Sequence, residues 1–256
     1  MAVRDKVYFI SDAHLGSGAD SRERERQLCR WLDSIKDDCK TLFLLGDMFD
    51  FWFTYRYVVP RGHVRLLGKL AEMSDAGVEL HFFIGNHDMW MFDYLEKECC
   101  AQMHDEPELF EIGGKRLLIG HGDGLGHLDK QFDMLRKVFR SRLNQRLFAM
   151  LPQSWTFPIA NRWSDSNKER HAREDCLHYM GDDREGIVIY CKDRLQREKI
   201  DYCVFGHRHT PLTREIADGC VYVNTGDWLL NRNYAVYDPS TGELRLGDAE
   251  KEGLLA

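Results

Sequence analysis

Short apolar runs recur along the chain, and several stop abruptly at a polar turn. Lys6–Ile10 alternates as a strand and opens into Ser11, Asp12, Ala13 and His14. Thr41–Leu45 is apolar enough for a strand buried on both faces, and it breaks at Gly46 into Asp47, with Asp50 three residues on. Val78–Ile84 is a third strand, halted by Gly85, Asn86, His87 and Asp88. Between these runs, Ser21–Asp38 carries Leu28, Trp31, Leu32 and Ile35 at helical spacing, and His63–Ala76 is a second helix closed by Gly77. The charged opening of the first helix, Ser21–Arg26, reads as a solvated face. The order is βαβαβ, and ligands of open α/β sheets bind beyond the carboxyl ends of the strands.

Downstream, Phe110–Ile112 and Lys115–Ile119 flank Gly113 and Gly114 as a hairpin leading to His121, Gly122 and Asp123. Gly126–Arg173 is helical, with Leu128, Phe132, Leu135, Phe139 and Leu143 on one face and interruptions at Pro152 and Pro158. Glu185–Lys199 is a further helix, and the strand Asp201–Phe205 ends in Gly206, His207, Arg208 and His209. Thr213–Ile216, Cys220–Asn224, Asn233–Tyr237 and Glu243–Leu246 complete an antiparallel run. These elements predict an α/β sandwich of two sheets with helices outside. Residues 1–125 and 174–256 form its core, and 126–173 an inserted helical cap.

At 256 residues, 43% apolar and 30% charged, the chain is long enough for one full core. Its net charge of −7 gives no overall attraction for nucleic acid, yet residues 126–173 hold ten Lys/Arg against four Asp/Glu. Eight cysteines are scattered without a CxxC pair, and the apolar run near the N-terminus is cut short at Asp12, unlike a signal peptide. Reduced thiols in a cytoplasmic setting are expected. No run reaches the roughly 18 apolar residues of a membrane span.

The polar residues directly after strands are Asp12, His14, Asp47, Asn86, His121, His207 and His209. Singly, each has an ordinary structural role, an Asp as a helix cap or a His satisfied in the core. Together they offer carboxylate, amide and imidazole donors without thiolate, a set suited to Mn, Fe or Zn. Asp12/His14 and His207/His209 are spaced i, i+2, which on extended backbone puts both side chains on one side. Seven donors exceed the needs of one ion, whereas two ions about 3.5–4 Å apart, bridged by one carboxylate, accommodate them. Asp47 is the natural bridge.

The series DAH (12–14), GDMFD (46–50), GNHD (85–88), HGD (121–123) and GHRH (206–209) resembles the calcineurin-like metallophosphoesterase superfamily. The resemblance implies a two-sheet metallophosphoesterase sandwich with a dinuclear site at one edge. It places one ion on Asp12, His14, Asp47 and His209, the other on Asp47, Asn86, His121 and His207, and implies attack by water in line at phosphorus. His87 is then the candidate to stabilise the transition state or protonate the leaving group. Asp88 would orient its ring, and Asp50 would hold a metal ligand in place.

A closer likeness, in SDAHLG, GDMFDFW, the basic insertion, GHRHTP and TGDW (225–228), is to the UDP-2,3-diacylglucosamine pyrophosphatase family of lipid A biosynthesis. It implies two divalent ions, Mn2+ by expectation, and an acylated UDP-sugar cleaved to UMP and an acylated sugar phosphate. It also implies peripheral attachment at the cytoplasmic face of the inner membrane. Phe132, Phe139, Phe148, Trp155 and Trp163 are candidates to line an acyl slot, with basic side chains toward the diphosphate and an anionic membrane. Arg162, Ser166, Asn167 and Lys168 resemble that family's substrate-contact segment. Two positions depart from it: His87 stands where well-known members carry Arg, and Arg208 where they carry Thr. Alternatives are a nucleotide-directed hydrolase, such as a dinucleoside polyphosphate hydrolase or phosphodiesterase, and a non-catalytic scaffold of the same fold. For the insertion the alternative is an amphipathic helical pair packed on the core.

Overall fold

The computed structural model describes residues 4–127, 130–156, 158 and 179–255. In the first sheet β1 (Lys6–Ile10), β2 (Cys39–Leu44), β3 (Glu79–Phe83) and β4 (Gln102–His104) run parallel in that order. Beyond β1, β10 (Asn233–Asp238) and β11 (Glu243–Asp248) extend it antiparallel. The second sheet has β6 (Lys115–Gly120), β7 (Tyr202–Phe205) and β9 (Cys220–Asn224) parallel at its centre. Its edges, β5 (Glu108–Ile112) and β8 (Leu212–Ala217), are antiparallel.

The central strands are apolar on both faces because both faces are covered. Val7, Phe9, Phe43, Leu45 and Phe83 meet Leu117, Ile119, Val204 and Val223 between the sheets. Tyr8, Ile10, Leu42 and Leu44 belong instead to the core that packs α1 (Ser21–Ile35) and α2 (Val64–Asp75) on the first sheet, through Leu28, Trp31, Leu32 and Leu70. On the second sheet's outer face, helix 186–195 buries Ile187, Val188 and Cys191 against Cys203 and Phe205.

Four expectations change. The short α3 (Tyr94–Cys99) and β4 were not foreseen, since six and three residues carry little periodicity. The last four strands are not one antiparallel run. β8 and β9 pair in the second sheet, and the chain then crosses to set β10 beside β1, its Trp228 amide donating to Asp12 O at 3.2 Å on the way. The helical insertion breaks where Ser141 is extended (φ −66°, ψ 119°), between α4 (Lys130–Arg140) and α5 (Arg142–Ala149). Phe139 therefore packs edge-on to Trp90, whereas Leu143 is 65% exposed; Leu128 and the side chains of Phe132 and Leu135 lie outside the described residues. Finally, the run 21–26 is not all solvated. Arg24 and Glu25 are buried, and Glu25 Oε1 accepts the first amides of α2, from Arg65 at 3.0 Å and Leu66 at 3.2 Å. Among the described residues no helix is long and apolar enough to cross a membrane. Helix 186–195, α6 hereafter, closes the set.

Candidate metal centre

The loops after β1 and β2 are laced together by backbone bonds. Asp12 N donates to Gly46 O, His14 N to Asp47 O and Leu15 N to Met48 O, at 3.0, 2.9 and 3.0 Å. Asp12, His14, Asp47, His207 and His209 all have left-handed backbones, with φ of 54°, 41°, 52°, 67° and 55°. The i, i+2 pairs thus converge through tight turns, not through the extended backbone that the spacing suggested. Each such non-glycine residue costs roughly 1–2 kcal/mol, so the surrounding bonds must over-determine the turns. Neighbouring glycines leave the room: a Cβ on Gly85 would collide with Asp47, and one on Gly206 with Ser11 and Asp12.

The structure brings all seven predicted donors together. Asp12, His14 and His209 each place one atom within 4.8 Å of the others, and Asp47, His121 and His207 do the same. His14 Nε2 lies 3.3 Å from His209 Nε2 and 3.9 Å from both Asp12 Oδ1 and Asp47 Oδ2. Asp47 Oδ2 is also 3.4 Å from His121 Nε2, itself 3.3 Å from Asn86 Oδ1. Asp47 stands between the two groups.

These residues fit divalent ions. His121 Nδ1–H donates to Leu45 O at 2.7 Å, so its Nε2 turns a lone pair toward two oxygens. Lone pairs so placed repel unless a proton or a metal lies among them. Asp12 Oδ1 is buried without a hydrogen-bond partner, an uncommon state for a buried polar atom. Protons alone give a strained balance. Burial lowers the His121 pKa, yet the Asp47 charge raises it to about 10. Burial pushes Asp47 up, but His121 and His87 hold it well below the usual carboxylate range. Burial also raises Asp12 and lowers His14 to about 3.

Beside the two groups, Asp50 Oδ1 faces His14 Nδ1 at 3.5 Å. His87 Nδ1–H donates to Asp50 O at 3.0 Å, and its ring stands edge-on to His14 with centroids 4.6 Å apart. Asp88 does not orient that ring, contrary to expectation. Its buried carboxylate accepts the amides of Met48 at 2.9 Å, Phe49 at 3.4 Å and Gly85 at 2.9 Å. It ties the β2 loop to the β3 loop, and burial raises its pKa to about 7.

Two carboxylates were missed as site residues. Asp227 Oδ2 lies 3.7 Å from His209 Nδ1 while Oδ1 accepts the amides of Leu230 and Asn231 at 2.5 and 3.0 Å. Asp123 is buried 3.2 Å from Arg136 Nε of α4. Both follow glycine in the motifs TGDW and HGD, and that position was the available signal. Arg208, between two predicted ligands, forms a two-point ion pair with buried Glu185 at 3.0 and 3.1 Å. Arg162, Ser166, Asn167 and Lys168, with Trp163, lie outside the described residues. Of the other acyl-slot candidates, Phe148 packs on Phe53 and Trp90 at 5.0 and 4.6 Å, and Trp155 is 64% exposed.

A two-sheet sandwich with O/N donors at one edge is a metallophosphoesterase arrangement, and residues 5–211 match the family model of the calcineurin-like phosphoesterases. The chain belongs to that family. A curated UDP-2,3-diacylglucosamine hydrolase from Porphyromonas gingivalis is 39% identical over 252 residues, covering 93% of this chain and 96% of its own length. One from Shewanella baltica is 26% identical over 87% of this chain and 89% of its own.

Proposed function

We propose that the chain hydrolyses the diphosphate of UDP-2,3-diacylglucosamine, releasing UMP and 2,3-diacylglucosamine 1-phosphate. The observation that carries this reading is the convergence of seven oxygen and nitrogen donors with Asp47 between two groups. The likeness to the 39% identical hydrolase supports the choice of substrate. We assign Asp12, His14, Asp47 and His209 to one ion and Asp47, Asn86, His121 and His207 to the other, with Mn2+ suited to the donor set. Bound there, such ions activate water and neutralise phosphate oxygens. Three imidazoles are oriented through their second nitrogen: His14 by Asp50, His209 by Asp227 and His121 by Leu45 O. His87, its Nδ1–H engaged by Asp50 O, is assigned, as the doubly protonated imidazolium, to stabilise the transition state or to deliver the Nε2 proton to the leaving phosphate oxygen and become the neutral ring.

Residues 126–173 serve as a cap on the core of 1–125 and 174–256. Phe51, Phe53, Trp90 and Phe148 form an aromatic wall directly after Asp50. On and beyond α5, Leu143, Leu147, Met150 and Trp155 are exposed in a segment that also carries Arg142 and Arg146. That pattern suits a helix resting on an anionic membrane surface. It supports a peripheral position on the cytoplasmic face of the inner membrane.

The test offers Mn2+-loaded protein UDP-2,3-diacylglucosamine, UDP-sugars and dinucleoside polyphosphates in parallel. UMP release from the diacylated substrate alone is expected. Equal turnover of the water-soluble nucleotides would move the reading to a nucleotide-directed hydrolase. Asp47→Ala is expected to abolish turnover on every substrate, and substantial residual activity in metal-replete protein refutes the bridging role.

A further inference from the structure

The charged run that opens α1 contains one cation as deeply buried as the core: Arg24 is 1% exposed. Its guanidinium reaches Ala13 O through Nε at 2.9 Å, and His14 O and Ser17 O through Nη2 at 3.0 and 2.6 Å. Nη1 donates to Asp20 Oδ1 at 2.9 Å. Three of the four acceptors are carbonyls of the turn after β1, the turn in which Asp12 and His14 are left-handed.

We infer that Arg24 is a positioning residue that locks this turn so that Asp12 and His14 stand ready for a divalent ion. The inference rests on the metal assignment above. The amides of His14 and Leu15 already donate to the β2 loop, so one side of the turn is held by that loop. On the carbonyl side Trp228 N donates to Asp12 O at 3.2 Å and Ser17 N to His14 O at 3.1 Å, and Arg24 adds the side-chain donors to Ala13 O, His14 O and Ser17 O. The guanidinium reaches its four acceptors from three separate nitrogens held in a rigid fork; an ammonium's three donors share one nitrogen on a flexible stem and cannot span the same positions. Burying the charge is unfavourable unless its hydrogen bonds are made, and all four contacts fall within one turn and its flank. Glu25, next in sequence and also buried, bonds to α2 and, among the described residues, to no atom of that turn. It is therefore a matched control for fold support alone.

The experiment measures Mn2+ affinity by calorimetry in Arg24→Lys, Arg24→Ala and Glu25→Gln, alongside Tm in excess chelator and circular dichroism. Arg24→Lys is expected to weaken Mn2+ binding about tenfold or more, the scale of removing a group that orients a ligand. The Mn2+ concentration for half-maximal activity should shift alike, with a smaller change in kcat at saturating metal. Glu25→Gln should lower Tm in chelator and bind Mn2+ as the wild type does. Wild-type affinity in folded Arg24→Lys overturns the inference, whatever Arg24→Ala does. A wild-type protein without measurable Mn2+ binding overturns the metal assignment itself, and the inference with it.

Discussion

His121 shows how the centre behaves when protons alone balance it. One ring nitrogen is tied to Leu45 O and the other faces Asp47 and Asn86. A folded-state pKa of about 10, against an ordinary 6.5, means that the metal-free fold keeps a proton the unfolded chain gives up. That stabilisation is complete below about pH 6.5 and is lost as pH rises through about 10. In excess chelator, Tm should fall across that window in the wild type and change less in His121→Asn; identical slopes in both proteins would show that His121 carries no such proton. The seven donors were legible because each stands at an abrupt break after an apolar run. The left-handed turns of Asp12, His14, Asp47, His207 and His209 were not, since Asp and His spell the same motif in either conformation. Arg24 and Glu25 were illegible for a related reason: a charge at a helical position looks the same whether water or a buried backbone group meets it.

Among the elements, α4 and α5 are the described part of the proposed cap, and they pack beside the loops of the metal centre. Arg136 and Arg140 of α4 hold Glu106 at 3.2 and 2.7 Å, and Arg136 also reaches Asp123 beside His121. Phe148 of α5 lies against Phe53 and Trp90. Phe148→Ala should raise KM for the diacylated substrate about tenfold while leaving hydrolysis of a small phosphodiester within about twofold, since losing the contacts of one half-buried aromatic is worth about 1.4 kcal/mol at that ratio. Equal losses on both substrates would mean that these helices only support the core. Strand positions were legible to within a residue or two because Phe9, Phe43, Phe83 and their neighbours are apolar on both faces. Their assignment to sheets was not. Hairpin spacing predicts local pairing, and nothing in Thr225–Trp228 announces a crossing from one sheet to the other.

For the whole molecule, the two sheets are joined by a buried aromatic seam. Phe43 is fully buried there, stacked on Phe9 at 5.2 Å and met edge-on by Phe110 of the opposite sheet at 5.0 Å. Phe43→Ala should therefore destabilise the fold by about 3–5 kcal/mol, read as a lower urea midpoint in a single transition. Two separated transitions would show that the sheets unfold independently.

The seam also divides the chemistry. Asp12, His14, Asp47 and Asn86 come from one sheet's strand ends, and His121, His207 and His209 from the other's. Neither sheet by itself holds a full ligand set for two ions. On the proposed ligand assignment, a chain whose sheets have not docked lacks the full donor set, and the site works as a coincidence detector for the finished fold.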